Sequence, residues 1–199
     1  LGFMRKIGGL LFLVGVVCLL YSYHIQEKQK ESINQLQSVL EAIRNMDNTG
    51  RSESIKEELS SSFNIDKADI KRLIILSIPS IELEAPVLPE PTQEYLNVAL
   101  TQIRKNQVPG QGNFTIAGHN SVVYGRHFNR LDEIKIGDQI QLEGKQGKFV
   151  YQVESKKIIK PTDVDVLNET PGKREITLIT CTKSGAKRIA VKGHIIANE

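Results

Sequence analysis

Cysteine is scarce in this chain: its 199 residues contain two, Cys18 and Cys181. Cys18 lies inside an apolar run, so a bridge to Cys181 is not expected and no disulfide framework can form. No Cys/His spacing of the zinc type occurs, and there is no Gly-rich phosphate loop. Neither a metal nor a cofactor is expected. Charge of one sign is also lacking. Lys and Arg number 26 against 23 Asp and Glu, leaving +3 dispersed along the chain. That balance argues against a nucleic-acid partner. No internal repeat or low-complexity tract stands out. The chain is 40% hydrophobic, which permits one real domain with appendages. An unpaired cysteine in such a domain invites a reading as a reactive thiol.

The residues around Cys181 are the most informative. Thr177 to Thr180 is β-branched and apolar, and Arg188 to Ile196 is similar apart from Gly193. Ser184-Gly185 between them is a turn signal, because glycine tolerates positive φ. A hairpin centred there sets Cys181 opposite Arg188, Thr180 opposite Ile189 and Leu178 opposite Val191. One face then carries Ile176, Leu178, Thr180, Ile189 and Val191, which suits a core. The other carries Thr177, Ile179, Cys181, Arg188, Ala190 and Lys192. Period-2 separation of this kind supports the register. Directly opposed side chains have Cβ atoms roughly 4.5–5.5 Å apart, so Arg188, rather than Lys187, shares a face with the thiol. A guanidinium beside a thiol favours the thiolate. It can also donate hydrogen bonds to an acyl oxygen or a developing oxyanion. A half-buried cysteine beside an ordinary surface arginine would give the same spacing.

A thiol nucleophile usually needs an acid/base partner, most often histidine. His194 shares the hairpin but pairs with Glu175, roughly 20 Å along the strand from Cys181. His24 follows the apolar run, and His127 sits in a loop-like stretch beside Phe128. His119 ends Asn113-Phe-Thr-Ile-Ala-Gly-His, a short strand that stops at Gly118. A catalytic group belongs at a rigid strand end, which selects His119.

These residues carry a family likeness. Thr177-Leu178-Ile179-Thr180-Cys181 resembles the TLxTC signature of sortases, the cell-wall transpeptidases of Gram-positive bacteria. Ala117-Gly118-His119 resembles the family's histidine segment, and Arg188-Ile189-Ala190-Val191 its arginine strand. Ile78-Pro79-Ser80-Ile81, Pro109-Gly110, Phe128-Asn129-Arg130-Leu131 and Lys135-Ile136-Gly137-Asp138 agree in order and spacing, so the likeness spans Leu73 to Ile196. The resemblance implies a closed eight-stranded β-barrel and a site of His119, Cys181 and Arg188. Cys181 would attack the Thr–Gly bond of an LPxTG-like sorting signal and form a thioacyl enzyme. An amine, usually on a peptidoglycan precursor, would then resolve it. His119 would move the protons, Arg188 would hold the carbonyl or oxyanion, and Thr180 would help through its backbone or hydroxyl. The short link between Lys160 and Glu175 leaves no room for a class B helical insert. No class C lid motif or second membrane segment is present, and no clear calcium-binding acidic cluster. By elimination the chain most resembles a class D sortase, with an A-like one as the alternative. Two other readings of the residues stay open: a membrane-tethered binding or scaffold module with a structural Cys181, and a plain cysteine protease.

Three segments are expected. Residues 1–25 form a membrane anchor. Ile7 to Tyr23 is free of charge, follows Arg5-Lys6 and spans roughly 26 Å as a helix. No small-x-small cleavage site follows it, and Val17 before Cys18 does not suit a lipobox. The Lys/Arg bias across it is weak. A single-pass protein with its catalytic domain outside the cell is therefore expected mainly from the resemblance. Residues 26–70 form a helical stem, with Ile33, Leu36, Leu40 and Ile43 at helical spacing. Asn48-Thr49-Gly50 breaks it, and Ser54 to Glu57 resembles a capping box. Residues 71–199 form the domain. Strands are expected at Leu73–Ile78, Ile81–Val87, Phe114–Ala117, Gln139–Leu142, Phe149–Ile159, Ile176–Thr180 and Arg188–Ile196. A helix is expected over Thr92–Ile103, with Leu96, Leu100 and Ile103 on one side. Many short strands with Gly/Pro turns argue a closed barrel.

Overall fold

The computed structural model describes residues 12–23, 67–70, 72–121 and 125–198. The chain divides into two units, Leu1–Gln37 and Ser38–Glu199. In the first, residues 12–23 are helical and exposed. Among the described residues no helix is long and apolar enough to cross a membrane. The remainder of the expected anchor, and all of the expected stem before Lys67, lie outside the described residues.

In the second unit the described residues form eight strands: β1 Ile74–Ile78, β2 Leu83–Leu88, β3 Leu100–Gln102, β4 Asn113–Ala117, β5 Gln139–Gly144, β6 Gly147–Ile159, β7 Glu175–Cys181 and β8 Arg188–Asn198. They close in the order β1-β2-β3-β4-β7-β8-β6-β5. The β1–β5 pair completes the ring through Ile75↔Glu143 to Ser77↔Gln141. Closure removes free sheet edges. Two neighbouring pairs, β2/β3 and β4/β7, are parallel. The interior is filled by Leu76, Ile78, Phe114, Ile116, Ile140, Tyr151, Leu178 and Val191, all essentially buried. Tyr151 keeps its polar end satisfied there, because its hydroxyl accepts from Gly110 N at 2.8 Å.

The helix expected over Thr92–Ile103 is shorter than its spacing suggests. It runs over Gln93–Val98, with Thr92 as N-cap accepting from Tyr95 N. Ala99 is fully extended (φ −146°, ψ −178°), and Leu100–Gln102 is strand β3. The buried face of the helix is carried by Tyr95, whose hydroxyl donates to Asp69. The reason is tertiary. Leu100 and Thr101 pair with Val87 and Leu88 on one side, while Thr101 and Gln102 pair with Ala117 and Ile116 on the other. Three residues of strand fill the gap between β2 and β4. Ladder bonds on both sides outweigh a weak local helix preference.

Two strands position the site. β7 and β8 form the antiparallel hairpin expected from Ser184-Gly185, running from Glu175↔His194 to Cys181↔Arg188. Gly185 takes φ +74° in the turn. β6 lies on the far side of β8, bulged between Val153 and Ser155. At that bulge a Cβ on Gly193 would stand 2.7 Å from Gln152 O, so only glycine lets the strands approach. Ile176, Leu178, Thr180, Ile189 and Val191 are buried, as the core face requires. The opposite face is less open than its composition implies. Thr177 is fully buried there. The turn Val164–Leu167 lies over this part of the face. Asn113 Nδ2 donates to the carbonyls of Val166, Leu167 and Asn168 at 3.1–3.2 Å. Thr177 Oγ1 donates to Asn113 Oδ1 at 2.8 Å, and Arg104 donates to Leu167 O.

Candidate active site

The outer face of β4, β7 and β8 gathers the chemical groups. β4 and β7 are in parallel register from Asn113↔Glu175 to Ala117↔Ile179. The ladder continues with Gly118 N donating to Ile179 O at 3.1 Å, so His119 leaves β4 level with Cys181. Across the next strand gap Cys181 faces Arg188, and Arg188 in turn faces Ile159 of β6. His119, Cys181 and Arg188 thus stand level with one another at the ends of three adjacent strands, at one rim of the barrel. The row behind them, Ala117, Ile179 and Ala190, supplies an apolar floor.

Cys181 is half-buried and unpaired, while His119 is exposed. Gly118 before the histidine has no room for a side chain. A Cβ there would stand 2.4 Å from Leu100 Cδ2 and 2.8 Å from Phe128 Cδ2. Close packing of β4 against β3 and Phe128 therefore fixes where His119 begins. Thr180 turns inward, and its hydroxyl donates to Gly118 O at 2.8 Å. The hydroxyl is thereby occupied as a strut between β4 and β7, which leaves the Thr180 backbone on the thiol side. Arg188 Nη1 donates to Gly185 O and Lys187 O at 3.0 and 3.1 Å. These bonds dock the guanidinium on the β7–β8 turn, and its other donors have no hydrogen bond among the described residues.

Sequence reasoning passed over two neighbours of His119. Asn120 donates from Nδ2 to Cys181 O at 2.7 Å. His127, set aside as a loop residue, is 4% exposed. Its ring centroid is 6.2 Å from that of His119, with the rings tilted by 34°. A short antiparallel bridge between Asn120 and His127 brings it there. His127 is left-handed at φ +53°. Neither ring nitrogen makes a hydrogen bond of good geometry among the described residues. Its pKa is lowered from 6.5 to about 4, first by burial and then by the Arg126 charge, while the Val98 backbone partly opposes the shift. His127 is therefore neutral at neutral pH and adds no charge beside His119. The adjacency of Asn120 to His119 was visible in sequence, but no local signal marked the burial of His127. His194 lies at the other end of the hairpin, 3.4 Å from Glu154. His24 lies outside the described residues.

A cavity of about 220 Å³ lies elsewhere, lined by Gln102, Phe149 and the β5–β6 turn from Gly144 to Gly147. Since Ile159 at the far end of β6 is the residue beside Arg188, this cavity is at the opposite pole of the barrel. His119, Cys181 and Arg188 lie away from this cavity, His119 exposed and the other two half-buried. No cluster of metal-ligating side chains occurs among the described residues.

A thiol with an imidazole and a guanidinium on one strand row is the equipment of acyl transfer through a covalent thioester. The comparisons with known proteins agree. Residues 76–196 match the sortase domain family. Sortase A of Bacillus anthracis is 33% identical over 96% of this chain and 93% of that protein. Sortase D of Bacillus subtilis is 28% identical over 61% of this chain and 60% of its own length. The crystal structure of Listeria monocytogenes sortase A superposes with a TM-score of 0.61 at 30% identity, covering 63% of this chain and 88% of that one. The chain belongs to the sortase family: it is a cysteine transpeptidase of the cell-wall sorting kind. Its relatives carry the A, D and E labels, so the comparisons leave the class unresolved. The scaffold reading, with a purely structural Cys181, is set aside.

Proposed function

We propose that this sortase cleaves an LPxTG-like sorting signal at its Thr–Gly bond and passes the acyl group to an amine of the cell wall. Cys181 is the nucleophile, His119 the acid/base and Arg188 the oxyanion donor. The observation that supports this most is the common row of His119, Cys181 and Arg188 across β4, β7 and β8. The extended substrate lies on the floor of Ala117, Ile179 and Ala190. The Cys181 thiol gives its proton to His119 as the sulfur attacks the threonine carbonyl, and Arg188 steadies the negative oxygen that develops. As the tetrahedral intermediate collapses, the C–N bond breaks. His119 then gives a proton to the leaving glycine nitrogen. The thioester persists until an amine enters. His119 takes the amine's proton, the new amide forms and the thiolate leaves. Thr180 contributes through its backbone, its hydroxyl being bound to Gly118 O.

Residues 1–25 anchor the chain in the membrane, with the domain outside the cell. Protease treatment of intact cells should then remove the domain, and full protection would contradict this topology. The discriminating experiment for the reaction is product analysis of an LPxTG-like peptide, with and without added amine. Transfer predicts a product carrying the amine and faster turnover as amine rises. A hydrolysed product whose yield ignores the amine would mean that the chain acts as a protease.

A further inference from the structure

In a parallel pair of strands the rungs of the ladder recur every second residue, each amide donating to a carbonyl across the gap. β4 and β7 follow this as far as Gly118 N to Ile179 O at 3.1 Å. The next rung in that series would run from the Asn120 amide to the Cys181 carbonyl. The strand has ended by then, and Asn120 bridges to His127 instead. The Cys181 carbonyl is nevertheless satisfied, because Asn120 Nδ2 donates to it at 2.7 Å. A side-chain amide stands in for the missing backbone donor. One position back, Thr180 Oγ1 ties down Gly118 O at 2.8 Å. His119 lies between these two ties, and its own carbonyl accepts from Phe128 N at 3.0 Å. Both neighbours of His119 are thus bonded to β7, one through Thr180 and one through Cys181 itself.

We infer that Asn120 is a positioning residue, which holds the His119 segment against the Cys181 carbonyl so that imidazole and thiol keep one separation through both transfers. This inference rests on the proposed roles of His119 and Cys181. The bond lies at the rim, only partly buried, so water can replace the amide when it is removed and the barrel should persist. What is lost is alignment, and a displacement of about 1 Å between reacting groups can cost about 100-fold in rate. Only the NH2 end of the side chain can serve a carbonyl. Asn120→Asp keeps the shape but replaces the donor with a carboxylate oxygen. Asn120→Gln keeps the donor on a longer arm.

The test is kcat and KM of the full chain and of Asn120→Ala, Asn120→Asp and Asn120→Gln, with an LPxTG-like peptide and excess amine. Melting temperatures are recorded alongside. For Ala and Asp we expect kcat lower by about 10- to 100-fold, with KM within about twofold and melting little changed. Gln should recover at least half of the Ala loss on a logarithmic scale. A fully active Asn120→Asp enzyme would overturn the inference. So would a loss in Asn120→Ala that follows unfolding, or one that Gln does not recover, since either means plain structural support. Cys181→Ala, run in parallel, separates the two levels: turnover in that variant would overturn the proposed site itself.

Discussion

His127 makes acid stability a readout of the architecture around the histidine segment. Its imidazole is 4% exposed and sits beside the Arg126 charge. Burial, the larger cause, moves the folded pKa from 6.5 to about 4. The unfolded chain takes up this proton near pH 6.5 and the folded chain only near pH 4, so in between the unfolded state binds more protons and acid favours it. The stability is fully present above pH 6.5 and is lost as pH falls through 4. At about 1.4 kcal/mol per pH unit, the full displacement corresponds to about 3 kcal/mol, of which about 2.5 kcal/mol is gone by pH 4.5. Melting should then fall by roughly 8–10 °C beyond the loss from all other groups. His127→Phe keeps a ring in the same place and cannot titrate, so it reports those other groups. The assay is thermal melting by circular dichroism at pH 7.5 and pH 4.5 for both proteins. Wild type should lose the larger amount by about that margin. Parallel losses, agreeing to within about 2 °C, would mean that His127 is protonated in the fold, and the burial argument would fail.

Two predictions concern the row itself. Arg188→Lys keeps the charge but not the fork of parallel donors, and Lys cannot also hold the Gly185 and Lys187 carbonyls. Losing one oxyanion donor costs about 2.7–4 kcal/mol, so kcat/KM should fall about 100- to 1000-fold with the fold intact, while Lys187→Ala stays near wild type. Near-normal activity in Arg188→Lys would remove the oxyanion role. His119→Ala should lower turnover by about 100-fold or more, whereas His194→Ala, roughly 20 Å along the hairpin, should not. Equal losses at both positions would contradict the assignment of the acid/base.

The hairpin was legible in sequence because its period is 2, a one-residue slip would take Val191 off the face of Ile176 and Leu178, and the local turn signal selects among the registers that remain. From that register the facing of Cys181 and Arg188 followed directly. β3 was not legible. Leu96, Leu100 and Ile103 carry helical spacing, and only partners on β2 and β4 make Leu100–Gln102 a strand. The covering of Thr177 was hidden for a similar reason, since it depends on Asn113 reaching carbonyls more than fifty residues away. Around the site, pattern identified His119 as a strand-end histidine, yet gave no sign of Asn120 or His127. An Asn in a polar loop has no periodicity, and its bond to Cys181 O is made across 61 positions of chain. The placement of His127 likewise arises from a single bridge and the packing of Phe128, neither of which leaves a local trace.

The central claim is that Cys181 carries the acyl group. Intact-mass analysis of the full chain, quenched in acid soon after mixing with an LPxTG-like peptide in the absence of amine, tests it most directly. The account predicts a mass increase equal to the N-terminal fragment ending in threonine. The added mass should map to Cys181, be released by an added amine, and be absent in Cys181→Ala. Efficient cleavage with no adduct at any quench time, or an adduct that persists in Cys181→Ala, would contradict it.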